Sequence, residues 1–232
     1  MLRLEGVHTY YGKSHILQGV SLEVGEGEII GLLGRNGVGK TTTLRSIMKL
    51  TPPAAGRVVL GTQDLTALPA YQIPRHGVGY VPQGRHIFPR LTVRENLELG
   101  LLRRGERGDL DAVHRLFPWL DERRTQFGGT LSGGQQQMLA IARCLVTRPR
   151  VLLLDEPTEG VMPVMVAQIR QQIRAINAAG VSILLVEQNL KTALDLCARI
   201  YLMEKGVVTH EAKAAQLRHD EATLRRYLGV SG

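Results

Sequence analysis

The apolar run over residues 28–33, EIIGLL, leads directly into Gly34-Arg35-Asn36-Gly37-Val38-Gly39-Lys40-Thr41, and a helix-periodic stretch over residues 42–50 follows at once. No other feature of the chain constrains its fold as much. The segment fits G-x-x-x-x-G-K-[ST], a pattern that arises by chance on the order of once per hundred chains of this length. Its flanks are those of a strand–loop–helix unit. The glycines let successive backbone N–H groups turn inward around an anion, and the N-terminus of the following helix adds free donors and the positive end of its dipole. Lys40 is placed to neutralise the outer phosphates of a nucleotide, with Thr41 offering a hydroxyl to Mg²⁺. A glycine-rich turn that binds nothing is the competing reading, and the matching flanks argue against it.

The rest of the chain agrees with an α/β architecture. Short, nearly continuous apolar runs over residues 78–81 (VGYV), 151–154 (VLLL), 182–186 (SILLV) and 200–203 (IYLM) suit parallel strands covered on both faces. Residues 164–178 and 188–197 have helical periodicity, and Met138, Ile141, Ala142 and Leu145 form one apolar stripe. Residues 2–7 and 16–24 alternate instead, which predicts a small antiparallel sheet ahead of the parallel core. Between residues 84 and 146 no strand is expected, and residues 92–102, 110–116 and 132–146 read as helices. Residues 212–228 read as one or two arginine-rich amphipathic helices that only pack.

Composition enters as an exclusion. With 44% hydrophobic and 22% charged residues in 232, the chain is an ordinary globular protein, not a disordered one. Cys144 and Cys197 stand far apart in apolar helical stretches, so they are expected as buried thiols, with no disulfide framework or zinc knuckle. A net charge of +8 would suit nucleic acid, nucleotide phosphates or an anionic membrane surface, and cannot choose among them. No apolar run approaches the ~20 residues needed to cross a bilayer, and the first residues lack the apolar stretch of a secretion signal. The expectation is a soluble or peripheral protein.

A phosphate-binding loop alone leaves kinases, GTPases, helicases and transport ATPases open. Two further motifs narrow the choice. Leu131-Ser132-Gly133-Gly134-Gln135 precedes an amphipathic helix, so a hydroxyl and two glycine N–H groups sit at a second helix N-terminus, another anion cradle. Then VLLL ends in Asp155 and Glu156, of which Asp155 can hold Mg²⁺ and Glu156 can activate a water. In this order the motifs resemble those of ABC-type ATPases, the nucleotide-binding subunits of ABC transporters, and the resemblance covers nearly the whole chain.

That resemblance implies a P-loop NTPase fold with a RecA-like core, an N-terminal antiparallel β subdomain and an inserted α-helical subdomain. The first two would occupy residues 1–83 and 148–232, and the helical part residues 84–147. It further implies a head-to-tail dimer with ATP and Mg²⁺ sandwiched between Gly34–Thr42 of one subunit and Ser132, Gly133, Gly134 and Gln135 of its partner. Tyr11 matches the aromatic residue that stacks on adenine, although Tyr10 beside it leaves a core aromatic open. Gln83 matches the glutamine that contacts Mg²⁺ or the attacking water. Residues 84–93 are where the family receives a permease helix; Ile87 and Phe88 would suit that contact, or could be core.

Two positions depart from the family pattern. Gln188 stands where most members have a γ-phosphate-contacting histidine, and an amide cannot become a cation, so slow hydrolysis without a titration at 188 is expected. Met162 stands where an aspartate is usual. The combination GRNGVGKTT, YVPQGRHIFPRLTV, LSGGQQQMLAIAR, LDEPTEG and LLVEQN resembles the second, shorter ATPase of branched-chain amino-acid importers and of related urea or short-chain amide importers. By that resemblance the partners are a dissimilar sibling ATPase, two permease subunits and, indirectly, a periplasmic binding protein, at the cytoplasmic face of the membrane. A nucleic-acid role is disfavoured by the uninterrupted cassette, the lack of cysteine pairs and the single ATPase unit. A non-catalytic nucleotide-gated scaffold is disfavoured by the intact Glu156.

Overall fold

A β-strand buried on both faces reads as a nearly continuous apolar run, and three of the runs above behave so. In the structure, a computed structural model that describes residues 1–101 and 109–228, β3 (Ile29–Leu33), β7 (Val151–Asp155) and β8 (Ser182–Val186) are buried along their whole length. They lie in a six-stranded sheet with β6 (Val78–Val81), β9 (Arg199–Glu204) and β10 (Val207–Lys213), in the order β10-β9-β3-β8-β7-β6. All pairs are parallel except β9 with β10. Successive residues serve opposite layers: Ile183 and Leu185 join one core cluster, Leu184 and Val186 the other. The first layer is packed by helices α5 (Gly133–Leu145), α6 (Pro163–Ala178) and α7 (Leu190–Leu196). The second holds α1 (Lys40–Ile47) and the inner face of a second sheet.

That second sheet is antiparallel, with order β2-β1-β4-β5. The strands β1 (Leu2–Tyr11) and β2 (Ser14–Val24) form a hairpin closed at Gly12, whose φ of 57° suits glycine. The strands β4 (Ala55–Leu60) and β5 (Gln63–Asp64) extend its other edge. Between β6 and β7 the chain forms α2 (Val93–Leu101), α3 (Leu110–Leu116), α4 (Pro118–Glu122) and then α5. The expected helix end at residue 102 falls outside the described residues. The stripe Met138, Ile141, Ala142 and Leu145 is buried as its spacing predicts.

Two expectations need correction. Residues 212 and 213 are not helical: β10 runs to Lys213, and only then come α8 (Ala214–Leu217) and α9 (Glu221–Leu228). Strand β10 is an edge whose residues stay mostly in solvent, so it lacks the apolar run that marks a buried strand. Of the two thiols, Cys197 is buried and burial pushes its pKa up, whereas Cys144 is only half-buried. Among the described residues, no helix is long and apolar enough to cross a membrane.

Candidate active site

In an open parallel sheet the crevice outside the carboxyl ends of the strands is where ligands bind. Here β3, β8, β7 and β6 are neighbours in register, with Leu32 beside Val186, Val186 beside Asp155 and Leu154 beside Val81. Their carboxyl ends therefore deliver the Gly34 loop, Glu187-Gln188, Asp155-Glu156 and Pro82-Gln83 to one level. A cleft of about 390 Å³ opens there, and its walls include Asn36, Gly37, Gly39, Lys40, Thr41 and Thr42. Tyr11, Gln83, Glu156 and Gln188 complete it, with Ile16 and Glu159.

The loop's shape depends on Gly39, the residue before α1. Its φ is 113°, and a Cβ there would lie 2.8 Å from Leu17 and 2.9 Å from Met203. Lys40, only 5% exposed, donates to the carbonyls of Gly34 (2.8 Å) and Arg35 (3.0 Å), and its Nζ lies 3.9 Å from Glu156 Oε1. Burial lowers the Lys40 pKa against the opposing pull of Glu156, Asp155 and Glu187. Val38 anchors the loop by accepting from Gly206 N at 2.9 Å.

The Asp155 carboxylate is held from two sides. Thr41 Oγ1 donates to Oδ1 at 3.1 Å and Tyr80 Oη to Oδ2 at 3.2 Å. Burial raises the Asp155 pKa, and these two hydroxyls oppose the rise. Burial and the adjacent Asp155 charge in turn push the Tyr80 phenol well above its usual range, so it stays a donor. Glu156 is buried and left-handed (φ 48°), uncommon for a non-glycine residue, with its N–H on Val186 O at 2.9 Å. Gln188 Nε2 donates to both Glu156 oxygens at 2.8 Å. Gln83 Nε2 donates to Glu156 Oε2 at 3.3 Å and to Glu159 at 2.7 Å. Gln188 is thus turned onto the carboxylate of Glu156.

The Tyr10 and Tyr11 alternatives separate cleanly. Tyr10 stacks on His15 with ring centroids 4.2 Å apart, whereas Tyr11 lines the cleft with its hydroxyl 3.4 Å from Thr51 Oγ1. Ser132, Gly133, Gly134 and Gln135, in contrast, do not line the cleft. Ser132 caps α5: its Oγ accepts from Gln135 N at 3.3 Å, and its own N–H donates to Gln135 Oε1 at 3.0 Å. This second cradle is thus separate from the cleft at its own P-loop. Arg85 lies against it, with guanidinium atoms 2.8–2.9 Å from where a Gly133 Cβ would stand, and donates to Gly160 O at 3.3 Å.

A groove of about 460 Å³ runs along β6, the edge strand, with Met48, Tyr80, Phe88, Leu99 and Arg143 among its walls. Phe88 is 49% exposed and Arg143 lies over its ring, while Ile87 packs on the core. Met162 is 63% exposed. Sequence reasoning missed Tyr80, Thr158 and Glu187. Tyr80 had no signal to separate it from a core aromatic. Glu187 did have one, since it closes an apolar strand just as Asp155-Glu156 closes VLLL.

A family model described as ABC transporter matches residues 17–159. The chain is 43% identical to the high-affinity branched-chain amino acid transport ATP-binding protein BraG of Pseudomonas aeruginosa, over 99% of this chain and 100% of BraG. It is 35% identical to the lipopolysaccharide export system ATP-binding protein LptB of Escherichia coli K12, over 94% of this chain and 93% of LptB. A nucleotide-free ATP-binding cassette from an ABC transporter superposes with a TM-score of 0.87 at 25% identity, covering 100% of this chain and 99% of that one. A dimeric cassette in a post-hydrolysis state, bound to ADP and phosphate, gives 0.80 at 29% identity, covering 92% and 99%. The chain belongs to the ABC transporter family of ATP-binding proteins. It is an ATP-binding P-loop ATPase of a transport system, and ATPases of this family dimerise and work with transmembrane permease subunits.

Proposed function

We propose that the chain powers import of branched-chain amino acids as one of two ATPase subunits bound to a permease at the cytoplasmic face of the membrane. The observation that carries the solute class is the end-to-end similarity to BraG, stronger than that to the exporter subunit LptB. The sibling ATPase, two permease subunits and an upstream periplasmic binding protein belong to the same reading, and nucleic acid has no part in it. Urea or short-chain amide import is the runner-up.

In this reading Gly34, Arg35, Asn36, Gly37, Val38 and Gly39 wrap the ATP phosphates with backbone N–H groups. Lys40 leaves the Gly34 and Arg35 carbonyls for the β- and γ-phosphates, Thr42 closes the cradle and Tyr11 carries the adenine. The donor set at Thr41 and Asp155, a hydroxyl and a carboxylate 3.1 Å apart, fits Mg²⁺, an ion that takes few protein oxygens and completes its shell with substrate phosphate and water. Gln83 would reach it from β6. When bound, the ion neutralises charge developing on the transferred phosphoryl group. Glu156 takes the proton of the attacking water, while Gln188 orients it and Lys40 holds the phosphate within a short reach of it. Because Ser132, Gly133, Gly134 and Gln135, carried on the helical arm 84–147, do not line the cleft of their own chain, the anion they take in this reading is the γ-phosphate held by a partner subunit.

The test is reconstitution with the permease and binding proteins that co-purify with the chain. ATP hydrolysis should rise when the binding protein is loaded with leucine, isoleucine or valine and not with urea or acetamide. Stimulation by the amides alone would replace the solute assignment with the runner-up.

A further inference from the structure

Glu187 directly follows β8 with only 2% of its surface exposed, and among the described residues it takes part in no ion pair. Four donors surround it instead. Oε1 accepts from Thr158 N at 3.1 Å and Thr158 Oγ1 at 2.7 Å, and Oε2 accepts from the backbone N–H groups of Gln188 (3.1 Å) and Asn189 (3.2 Å). Burying a carboxylate without an opposite charge costs desolvation that these four hydrogen bonds must offset, so removing one of them leaves an acceptor unsatisfied. Capping α7 does not need it, because Asn189 Oδ1 already accepts from Thr192 N at 3.0 Å.

The two segments that Glu187 joins are those that carry Glu156 and Gln188. Glu156 sits two residues before Thr158, in a left-handed backbone conformation that a non-glycine residue holds only when its surroundings over-determine it. Its N–H is fixed on Val186 O, one residue before Glu187. Gln188 follows Glu187 directly and places its amide on both Glu156 oxygens. The ring Glu156, Thr158, Glu187, Gln188 and back to Glu156 is closed by hydrogen bonds and short stretches of chain.

We propose that Glu187 is a positioning residue for hydrolysis: its carboxylate ties Thr158 to the backbone of Gln188, and so sets the angle at which the Gln188 amide meets Glu156. Glu187 touches no reacting atom in this scheme. The role rests on Glu156 being the base of the proposed function. A carboxylate is required because all four partners donate. A glutamine of the same size offers one acceptor oxygen, and its NH₂ would face the N–H groups on the other side.

The experiment measures kcat, ATP Kd and thermal stability of the full chain carrying E187Q, T158V, Q188A, E187Q/Q188A or E156Q. Misplacement of a reacting group by about 1 Å costs on the order of 10²-fold in rate. E187Q should lower kcat by a factor of that order and leave ATP Kd within about twofold of wild type, since the P-loop contacts are untouched. T158V should lower kcat by less in the same direction. E187Q/Q188A should be no slower than the slower of its two parents, because both act through Glu156. Unchanged kcat in E187Q, or losses that multiply in the double variant, would overturn the role. Should E187Q fail to fold, an unaltered kcat in T158V overturns it instead. If E156Q keeps the wild-type rate, the assignment of the base itself is wrong; if E156Q is inert and E187Q is fully active, only the positioning role falls.

Discussion

Replacing Gln188 separates the two jobs that its position allows. Its Nε2 lies 2.8 Å from both oxygens of the buried Glu156, while its own side chain is exposed. A hydrogen bond to a charged group is worth about 1.5–3 kcal/mol. If that energy is used to aim the base in the transition state, Q188A lowers kcat by roughly 10- to 150-fold. The ATP affinity should hold, because Lys40 and the loop do not depend on the amide. Restoring an imidazole with Q188H adds a group that titrates near pH ~6.5. Its cationic form can stabilise developing negative charge, so kcat of Q188H should rise relative to wild type as pH falls from 8 to 6, a slope that the amide cannot produce. Steady-state phosphate release across that range, with ATP affinity measured by calorimetry, tests both arms. Unchanged kcat in Q188A, or a Q188H profile that overlays wild type, would refute the reasoning.

Y80F removes one of the two donors on the Asp155 carboxylate at a cost of about 1.5–3 kcal/mol, so half-saturation of ATP binding by Mg²⁺ should shift upward roughly 10- to 150-fold, with binding in EDTA unchanged. G134A places a Cβ 2.7 Å from the Met165 side chain, which should destabilise the chain by about 1–3 kcal/mol in urea melts. ATP affinity of the isolated G134A subunit should be unaffected, since Gly134 does not line the cleft. Burial raises the Glu187 pKa in the native state above its unfolded value, so the native state takes up that proton first as pH falls. Stability of wild type relative to E187Q should therefore grow as pH is lowered from 7 toward the unfolded pKa, and shrink again as pH rises through the native value. Urea melts at several pH values would show this; a difference independent of pH would contradict it.

The layered core was legible because β3, β7 and β8 are buried on both faces and therefore nearly continuously apolar, and such runs are visible without any neighbour. Strands β4 and β10 were not, since one half of β4 and most of β10 stay in solvent and their pairing comes from β1 and β9. The P-loop could be read residue by residue because its chemistry is local to Gly34–Thr42. Tyr11 could not be told from Tyr10 until His15, across the hairpin, took the Tyr10 ring. Tyr80 escaped because its partner Asp155 lies on the neighbouring strand β7, and the role of Glu187 because Thr158, in the turn after β7, reaches it only through the pairing of β7 with β8.

All of this chemistry assumes that ATP held by one P-loop is completed by the Ser132 turn of a second subunit. The direct measurement is the mass of E156Q by light scattering in Mg·ATP and Mg·ADP, alone and with its co-purified sibling ATPase, beside E156Q/S132R. A dimer should form in ATP only and be lost with S132R, while ATP binding by the single chain persists. A monomer under every condition, or a dimer indifferent to S132R, would contradict it.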